Sequence, residues 1–338
     1  MTGMSHMSIL TGRCKYCVAQ AWPSSRRKMI AWLTTAALLW GSGDHTHMLQ
    51  GAAKKPKPWF DAKAAFVFAL GEGNLPASRE QFADGLSRGW KAHLRFPEGG
   101  DIVQTDGGRF PAIGALHVRL GGGIVNTDDS ARKDEPPLKP SGKVESKIAV
   151  RDFDLDARPL IFDKAKLDMH LSAVDAIFDV QHDQKGRPMA MMSDAKTATL
   201  QVNASNEDLE RIIVMDLNDA AEKYHVVFKK AKLRIDAKND RSIDLDLHLS
   251  TRVVFVPAGM RFQAHVDIGE DMFAKLSSLK CEGDEALGPL IVGLIRPGLK
   301  KFEGKSRLIF SFPTGQMKIR DVKIQGGDDV KIAATFAR

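Results

Sequence analysis

The sequence predicts an α+β fold: a long antiparallel sheet, charged on one face and apolar on the other, covered by amphipathic helices. Two observations carry this reading. The first is strict alternation. In "FKKAKLRIDA", from Phe228, the residues Lys230, Lys232, Arg234 and Asp236 fall on one side. Ala231, Leu233, Ile235 and Ala237 fall on the other, which is the period of a strand. The same texture stands earlier in "FDKAKLDMHL", from Phe162, where Lys164, Lys166, Asp168 and His170 alternate with Ala165, Leu167, Met169 and Leu171. The second observation is that segments with apolar residues three and four apart separate such strands. A sheet wet on one side must have its dry side covered, and those helices are the cover.

Composition bounds the classes. The 338 residues are 43% hydrophobic, which suits one or two globular domains with a sizeable core. The net charge of +7 invites a nucleic-acid reading, but its distribution argues against one. Residues 1–53 hold Arg13, Lys15, Arg26, Arg27 and Lys28 against Asp44; five bases less one acid is +4, leaving +3 of the +7 for the rest. Acids and bases intermix there without a dense basic cluster, so no nucleic-acid partner is expected.

Residues 1–53 read as an export signal with an N-terminal extension. "SSRRKMIAWLTTAALLW" gives a charged stretch, Arg26 to Lys28, then an apolar run from Met29 to Trp40. That run is too short to span a bilayer comfortably and long enough for a signal core. Gly51 and Ala53 suit cleavage after Ala53, and Ser25-Arg26-Arg27 partly resembles a twin-arginine signal. The expected location is the periplasm or cell envelope, membrane-anchored if the signal is retained. Cys14 and Cys17 form a lone CxxC ahead of the cut, leaving Cys281 alone, so no internal disulfide is expected.

Residues 54–143 read as a linker, helix and loop segment. "KKPKPWF" is the linker. Over 77–94, Ser78 can cap a helix whose stripe is Phe82, Leu86, Trp90 and Leu94, although Gly85 and Gly89 weaken it. "AIGALHVRL" predicts a strand, and the polar, Pro-rich stretch 126–143 predicts a loop, long for a tight hairpin.

Residues 144–338 form the sheet-and-helix domain. "SIDLDLHLS" puts Ile243, Leu245, Leu247 and Leu249 on one face; beyond "VPAG" the apolar phase moves to Met260, Phe262, Ala264, Val266 and Ile268, which predicts a turn or bulge near Pro257 and Gly259. Ser205 and Asp208 predict a capping box opening a helix with Leu209, Ile212, Ile213 and Leu217 on its stripe. "GEDMFAKLSSL" places Met272, Phe273, Leu276 and Leu279 at helical spacing. "GPLIVGLIRPGLKKF" predicts a helix starting at Pro289 and kinked or ended by Pro297. Strands follow, broken at 313–315 and 326–329. The strand, return strand and helix of 144–217 are echoed over 224–303, with the two similar strands expected in similar places.

The stretch from Gly142 to Phe336 resembles the LmeA-like family of bacterial phospholipid-binding proteins. "AKLDMHLSAVDAIFDV" looks like its strand pair, "AKTATLQVNASNEDLERII" like its strand leading through a Ser/Asn-rich turn into a helix, and "VKIQGGDDVKIAATF" like its closing hairpin. The resemblance implies a tubular lipid-binding fold, with long curved strands wrapped around helices and an apolar channel between. It implies an exported, non-enzymatic protein that carries or holds phospholipid or another diacyl lipid, in contact with a membrane surface. The segments with apolar faces predict the channel lining: Leu167, Met169, Leu209, Ile212, Ile213, Leu233, Ile235, Phe262, Ala264, Met272, Phe273, Leu276, Leu290, Ile291, Leu294 and Ile295. The other class kept open is an exported scaffold of the same architecture with a filled core.

Chemistry finds little purchase. Gly85, Ser87 and Gly89 match G-x-S-x-G, but the serine falls inside a predicted helix rather than on a strand-to-helix elbow. Asp152, Asp154 and Asp156 alternate as a solvated strand face does, and an EF-hand fails at Ala157 and Asp163. No HExxH, zinc spacing, phosphate loop or dinucleotide fingerprint occurs. No enzyme activity, cofactor or metal is expected.

Overall fold

A computed structural model describes residues 66–97, 99–125, 138–162, 164–221, 226–253, 256–270, 273–285, 287–300, 303–308 and 317–338. The expected export signal at 1–53 and the expected linker at 54–60 lie outside these residues. The chain opens with β1 (Val67–Ala69), α1 (Arg79–Lys91), β2 (Leu94–Arg95), β3 (Val103–Asp106), β4 (Ala112–Arg119) and β5 (Ile124–Val125). Longer strands follow: β6 (Ser146–Phe162), β7 (Ala165–His182), β8 (Pro188–Asp194) and β9 (Thr197–Ser205). Helix α2 (Asn206–Ala221) leads into a meander of β10 (Val226–Asn239), β11 (Ser242–Val253), β12 (Val256–Ile268) and β13 (Phe273–Asp284). Then come α3 (Gly288–Leu299), β14 (Ser306–Leu308) and the hairpin of β15 (Lys318–Gln325) and β16 (Asp329–Ala337).

The class is α+β, dominated by strand, and the strands build two open sheets rather than one. The larger has 11 strands along the path β15-β16-β9-β7-β6-β4-β3; the smaller has 5, in the order β10-β11-β12-β13-β14. The expectation of a wholly antiparallel sheet needs correction, because β4 and β5 pair in parallel with β6. Parallel neighbours need a crossover of a dozen or more residues. Residues 126–145, between β5 and β6, supply enough chain for such a crossover. Residues 66–125 therefore contribute five strands as well as a helix, and the sheet runs across position 143.

The two echoing strands keep the expected parity but not the expected equivalence. Leu167, Leu233 and Ile235 are buried while Lys166, Lys232 and Arg234 are exposed. However, β7 is an interior strand bonded to β6 on one side and to β8 and β9 on the other, whereas β10 is an edge strand paired only with β11 among the described residues. An edge exposes unpaired N–H groups. Helix α2 covers this one: Leu233 N donates to Glu210 Oε1 at 2.7 Å, and Phe228 N donates to Asn218 Oδ1 at 2.7 Å.

The predicted helix over 269–279 is from Phe273 onward a strand, β13. Its register explains the mimicry. Leu279 and Cys281 lie opposite Ala264 and Phe262 on the apolar face, then a bulge at Ser277 shifts the parity so that Leu276 and Ala274 face inward opposite Val266 and Ile268. One extra residue turns a period of two into a local spacing of three, which reads as helix. The turn expected near Pro257 and Gly259 is also displaced. Val253 pairs with Val256, so the β11–β12 connection is 254–255, and Pro257 and Gly259 lie within β12.

The other helices form where local signals place them. Ser78 Oγ accepts from Gln81 N at the start of α1, and Phe82 and Leu86 are buried. Gly85 and Gly89 are unfavourable in a helix, yet a Cβ on Gly89 would collide with the carbonyl of Ala69. They are there because α1 crosses directly over the end of β1. Ser205 caps α2: Asp208 N donates to Ser205 Oγ at 3.0 Å, and Ser205 Oγ donates to Asp208 Oδ2 at 2.7 Å. One buried cluster joins α1, α2 and both sheets. The seam between sheets is stitched by β15, where Ile319 N donates to Glu270 O at 3.1 Å and Arg241 Nη2 donates to Arg320 O at 3.2 Å. Gly326 lies so close to Ile235 O that no side chain would fit.

Candidate functional site

The apolar face of the five-stranded sheet is the candidate site. Its side chains meet in rows across the ladder: Leu233, Leu247, Phe262 and Cys281 form one, and Ile235, Leu245, Ala264 and Leu279 the next. Two helices lie on this face. Helix α2 presses Leu209, Ile212 and Ile213 into the main core beside β10. Helix α3 packs on β12 and β13, and its Val292 forms a small separate cluster with Met260 and Cys281. Two glycines let α3 come this close: a Cβ on Gly283 would strike Gly288, and one on Gly288 would strike Gly259 O.

Between the helices the cover is incomplete. Phe262, Ala264 and Leu279 stay half-buried at the middle of the sheet, while their row partners Leu233, Leu245, Leu247 and Cys281 are buried. Phe228 and Phe262 are the part-exposed side chains that touch both clusters. Val214, Met215 and Leu217 on α2 are half-buried on the same core. Together Phe262, Ala264 and Leu279 make a half-buried apolar strip on this face.

The predicted lining residues distribute as follows. Leu209, Ile212, Ile213, Leu233, Ile235 and Leu276 are buried on or beside this face. Phe262, Ala264 and Ile291 are half-buried. Phe273 is half-buried too, but it alternates with the inward Ala274 and so falls on the opposite face of β13, and its place in the lining is corrected. Leu167 is buried and Met169 half-buried on β7, in the larger sheet, which α2 also touches. Leu290 is 62% exposed on the first turn of α3, so it faces solvent rather than the sheet, and its place in the lining is corrected. Met272 and the side chains of Leu294 and Ile295 lie outside what is described. Sequence reasoning left Phe228, Leu279 and Val292 out of the lining. Phe228 and Leu279 each precede or follow a bulge, at 228–230 and near 266, where alternation stops being a guide. Two surface concavities elsewhere are open: one of about 240 Å³ includes Asp154, Ser172 and Thr199, and one of about 510 Å³ lies where Ile235 meets Gly326.

The opposite, wet face is laced with charge. Asp246 is held by Arg261, and Arg234 pairs with Asp236. His265 sits between two carboxylates, its Nδ1 2.5 Å from Asp244 Oδ1 and its Nε2 3.2 Å from Asp267 Oδ1. The hydrogen bond to Asp244 raises its pKa, and the same bond, then Lys238, lowers that of Asp244. A raised histidine stabilises the fold below its unfolded value of about 6.5 and loses that contribution as pH climbs through the folded value. Melting temperatures of the parent should therefore fall slightly between about pH 6 and pH 9, and His265→Gln should flatten that slope. An unchanged slope would remove His265 from the account.

On the dry face, burial pushes the Cys281 thiol up to about 11, so it packs as an apolar group and is no nucleophile. Ser87 lies within α1, not on an elbow. Among the described residues no group of three His, Cys, Asp or Glu is placed to hold a metal. No described helix is long and apolar enough to cross a membrane. Comparison with known proteins finds no matching family model, no matching curated protein and no matching solved structure.

Proposed function

We propose that this protein binds a phospholipid or another diacyl lipid without catalysing a reaction, laying its acyl chains along the apolar strip between α2 and α3. The carrying observation is the half-buried run of Phe262, Ala264 and Leu279 between two separately buried clusters. A filled core has no reason to leave these three apolar side chains half-covered while their row partners are buried. Covering such a strip with acyl chain is favourable by about 0.8 kcal/mol per buried CH₂. The reading accords with the resemblance to the LmeA-like family and its tubular arrangement, and with a carrier or holder in the cell envelope. The second reading, a scaffold without cargo, draws on Val266, Leu276 and Ile243, which close one end of the same face by packing alone.

One experiment separates the two. Phospholipid is extracted from purified protein and measured by mass spectrometry, together with the melting temperature, for the parent and for Ala264→Trp. A cargo strip predicts lipid in the parent, most of it lost in the variant, and nearly unchanged melting. A scaffold predicts no lipid in either and a cost of roughly 1–3 kcal/mol from overpacking.

A further inference from the structure

Helix α3 carries a charge on the face it turns to the sheet. Arg296 is the one charged residue in its sequence, GPLIVGLIRPGL. It stands four residues after Val292, so the two side chains share a face. Val292 is 2% exposed and packs on Met260 and Cys281. Leu299, three residues beyond Arg296, packs on the same cluster. A guanidinium therefore interrupts the apolar stripe of α3 between Val292 and Leu299, where an amphipathic helix would carry another apolar side chain. A last-turn cation does meet the helix dipole, but a side chain turned to solvent would serve that purpose equally.

The guanidinium lies beside the half-buried strip. Arg296 Nη2 donates to Cys281 O at 3.4 Å, a long bond. Burial raises the Cys281 thiol, and the Arg296 charge is what pulls it back. Cys281 lies opposite Phe262 in the ladder, and Leu279 is the next residue along that face of β13. Among the described residues Arg296 forms no ion pair, whereas on the wet face Arg234 holds Asp236 and Arg261 holds Asp246. Glu282 alternates with Cys281 and so falls on that wet face. Lys300, one turn beyond, donates its N–H to Arg296 O at 3.1 Å; its side chain is exposed and adds positive charge at this end of α3. A cation bordering apolar surface is costly without an anion to meet, and arginine's planar fork matches phosphate oxygens two at a time.

We infer that Arg296 is the head-group residue of the lipid site: it grips the phosphate of a diacyl lipid at the α3 side, while the acyl chains lie along Phe262, Ala264 and Leu279. This rests on the cargo reading and narrows it, from any diacyl lipid to one that bears phosphate. The group recognised is the phosphate ester itself. Zwitterionic and anionic phospholipids both carry it, and a diacylglycerol does not.

The test is equilibrium binding of three lipids with the same dye-labelled acyl chains to the full chain: phosphatidylglycerol, phosphatidylcholine and diacylglycerol. The parent should hold the two phosphate-bearing lipids about tenfold or more tighter than diacylglycerol. Arg296→Gln should lose that advantage and leave diacylglycerol binding as it was. Arg296→Lys keeps the charge without the fork and should recover part of it. Arg296→Met continues the apolar stripe, so its melting should hold while its phosphate preference goes. An Arg296→Gln protein that binds all three lipids as the parent does, or weakens on all three alike, would overturn the inference. Lost stability in Arg296→Met with the preference intact would do the same, returning Arg296 to the helix terminus alone. Millimolar inorganic phosphate should not displace phosphatidylglycerol from the parent; displacement would assign the cation to free phosphate instead. A parent that binds none of the three overturns the cargo reading and this inference with it, whereas a parent that binds all three equally overturns this inference alone.

Discussion

Phe178→Ala should cost about 4 kcal/mol, the largest loss expected of any single truncation in the chain. Phe178 is 1% exposed at the centre of the larger sheet's core. Its ring stands 5.3 Å from that of Phe153, 5.9 Å from Phe68 and 6.0 Å from Phe82, so strands β1, β6 and β7 and helix α1 all meet on it. Truncation opens a cavity that three rigid rings cannot fill, and it forfeits the ring contacts, each about 0.5–1.5 kcal/mol beyond burial. Urea unfolding should show a lowered midpoint with an unchanged slope. Phe178→Leu should lose far less. A loss below about 1 kcal/mol for the alanine variant would mean that α1 and β1 do not depend on this contact.

Asp183→Ala should cost about 3 kcal/mol, for a different reason. The Asp183 side chain is 1% exposed in the turn between β7 and β8. It accepts from Lys185 N and Arg187 N, each at 2.8 Å, and from Arg187 Nε and Nη2 at 2.9 and 2.6 Å. Burial pushes its pKa up, but the Arg187 guanidinium and the two amides more than offset that, leaving it below the ordinary carboxylate value. A lowered carboxylate stabilises the fold above its unfolded value, about 3.9, and the contribution fades as pH falls through the folded value. The parent should lose stability steeply under acid below about pH 4, and the variant, already lacking the bond set, should lose less over that window. An identical acid limb in both would show that the turn is held by its backbone alone.

The legible parts of this fold are those with local causes. The caps at Ser78 and Ser205 were readable because a side-chain oxygen three residues before a helical N–H needs nothing distant to act. The facing of β7, β10 and β11 was readable because alternate side chains on a strand must point apart. The illegible parts share a different origin. The bulge at Ser277 disguised β13 as a helix, because one extra residue changes the period and only the partner strand shows where it sits. Gly85 and Gly89 read as weaknesses, whereas in the fold Leu70 lies across the first and Ala69 across the second. For the site, Leu209, Ile212 and Leu233 were readable as apolar faces, whereas Leu290 has the same character and points to solvent. Phe228 joins two clusters through a bulge that no spacing announces.

The sequence by itself determined which residues make strands and helices over most of the chain, and which face of each strand is dry, since both follow from the backbone's own period and from caps a few residues long. Tertiary structure alone decided that the strands divide into two sheets, that β6 runs parallel to β4, and that β10 is an edge sealed by Glu210 and Asn218. It also decided that two helices leave Phe262, Ala264 and Leu279 between them only half-covered. The reason is one of range: an apolar side chain specifies that it must be buried, and the partner that buries it is chosen by contacts far along the chain, whose closure no local pattern encodes.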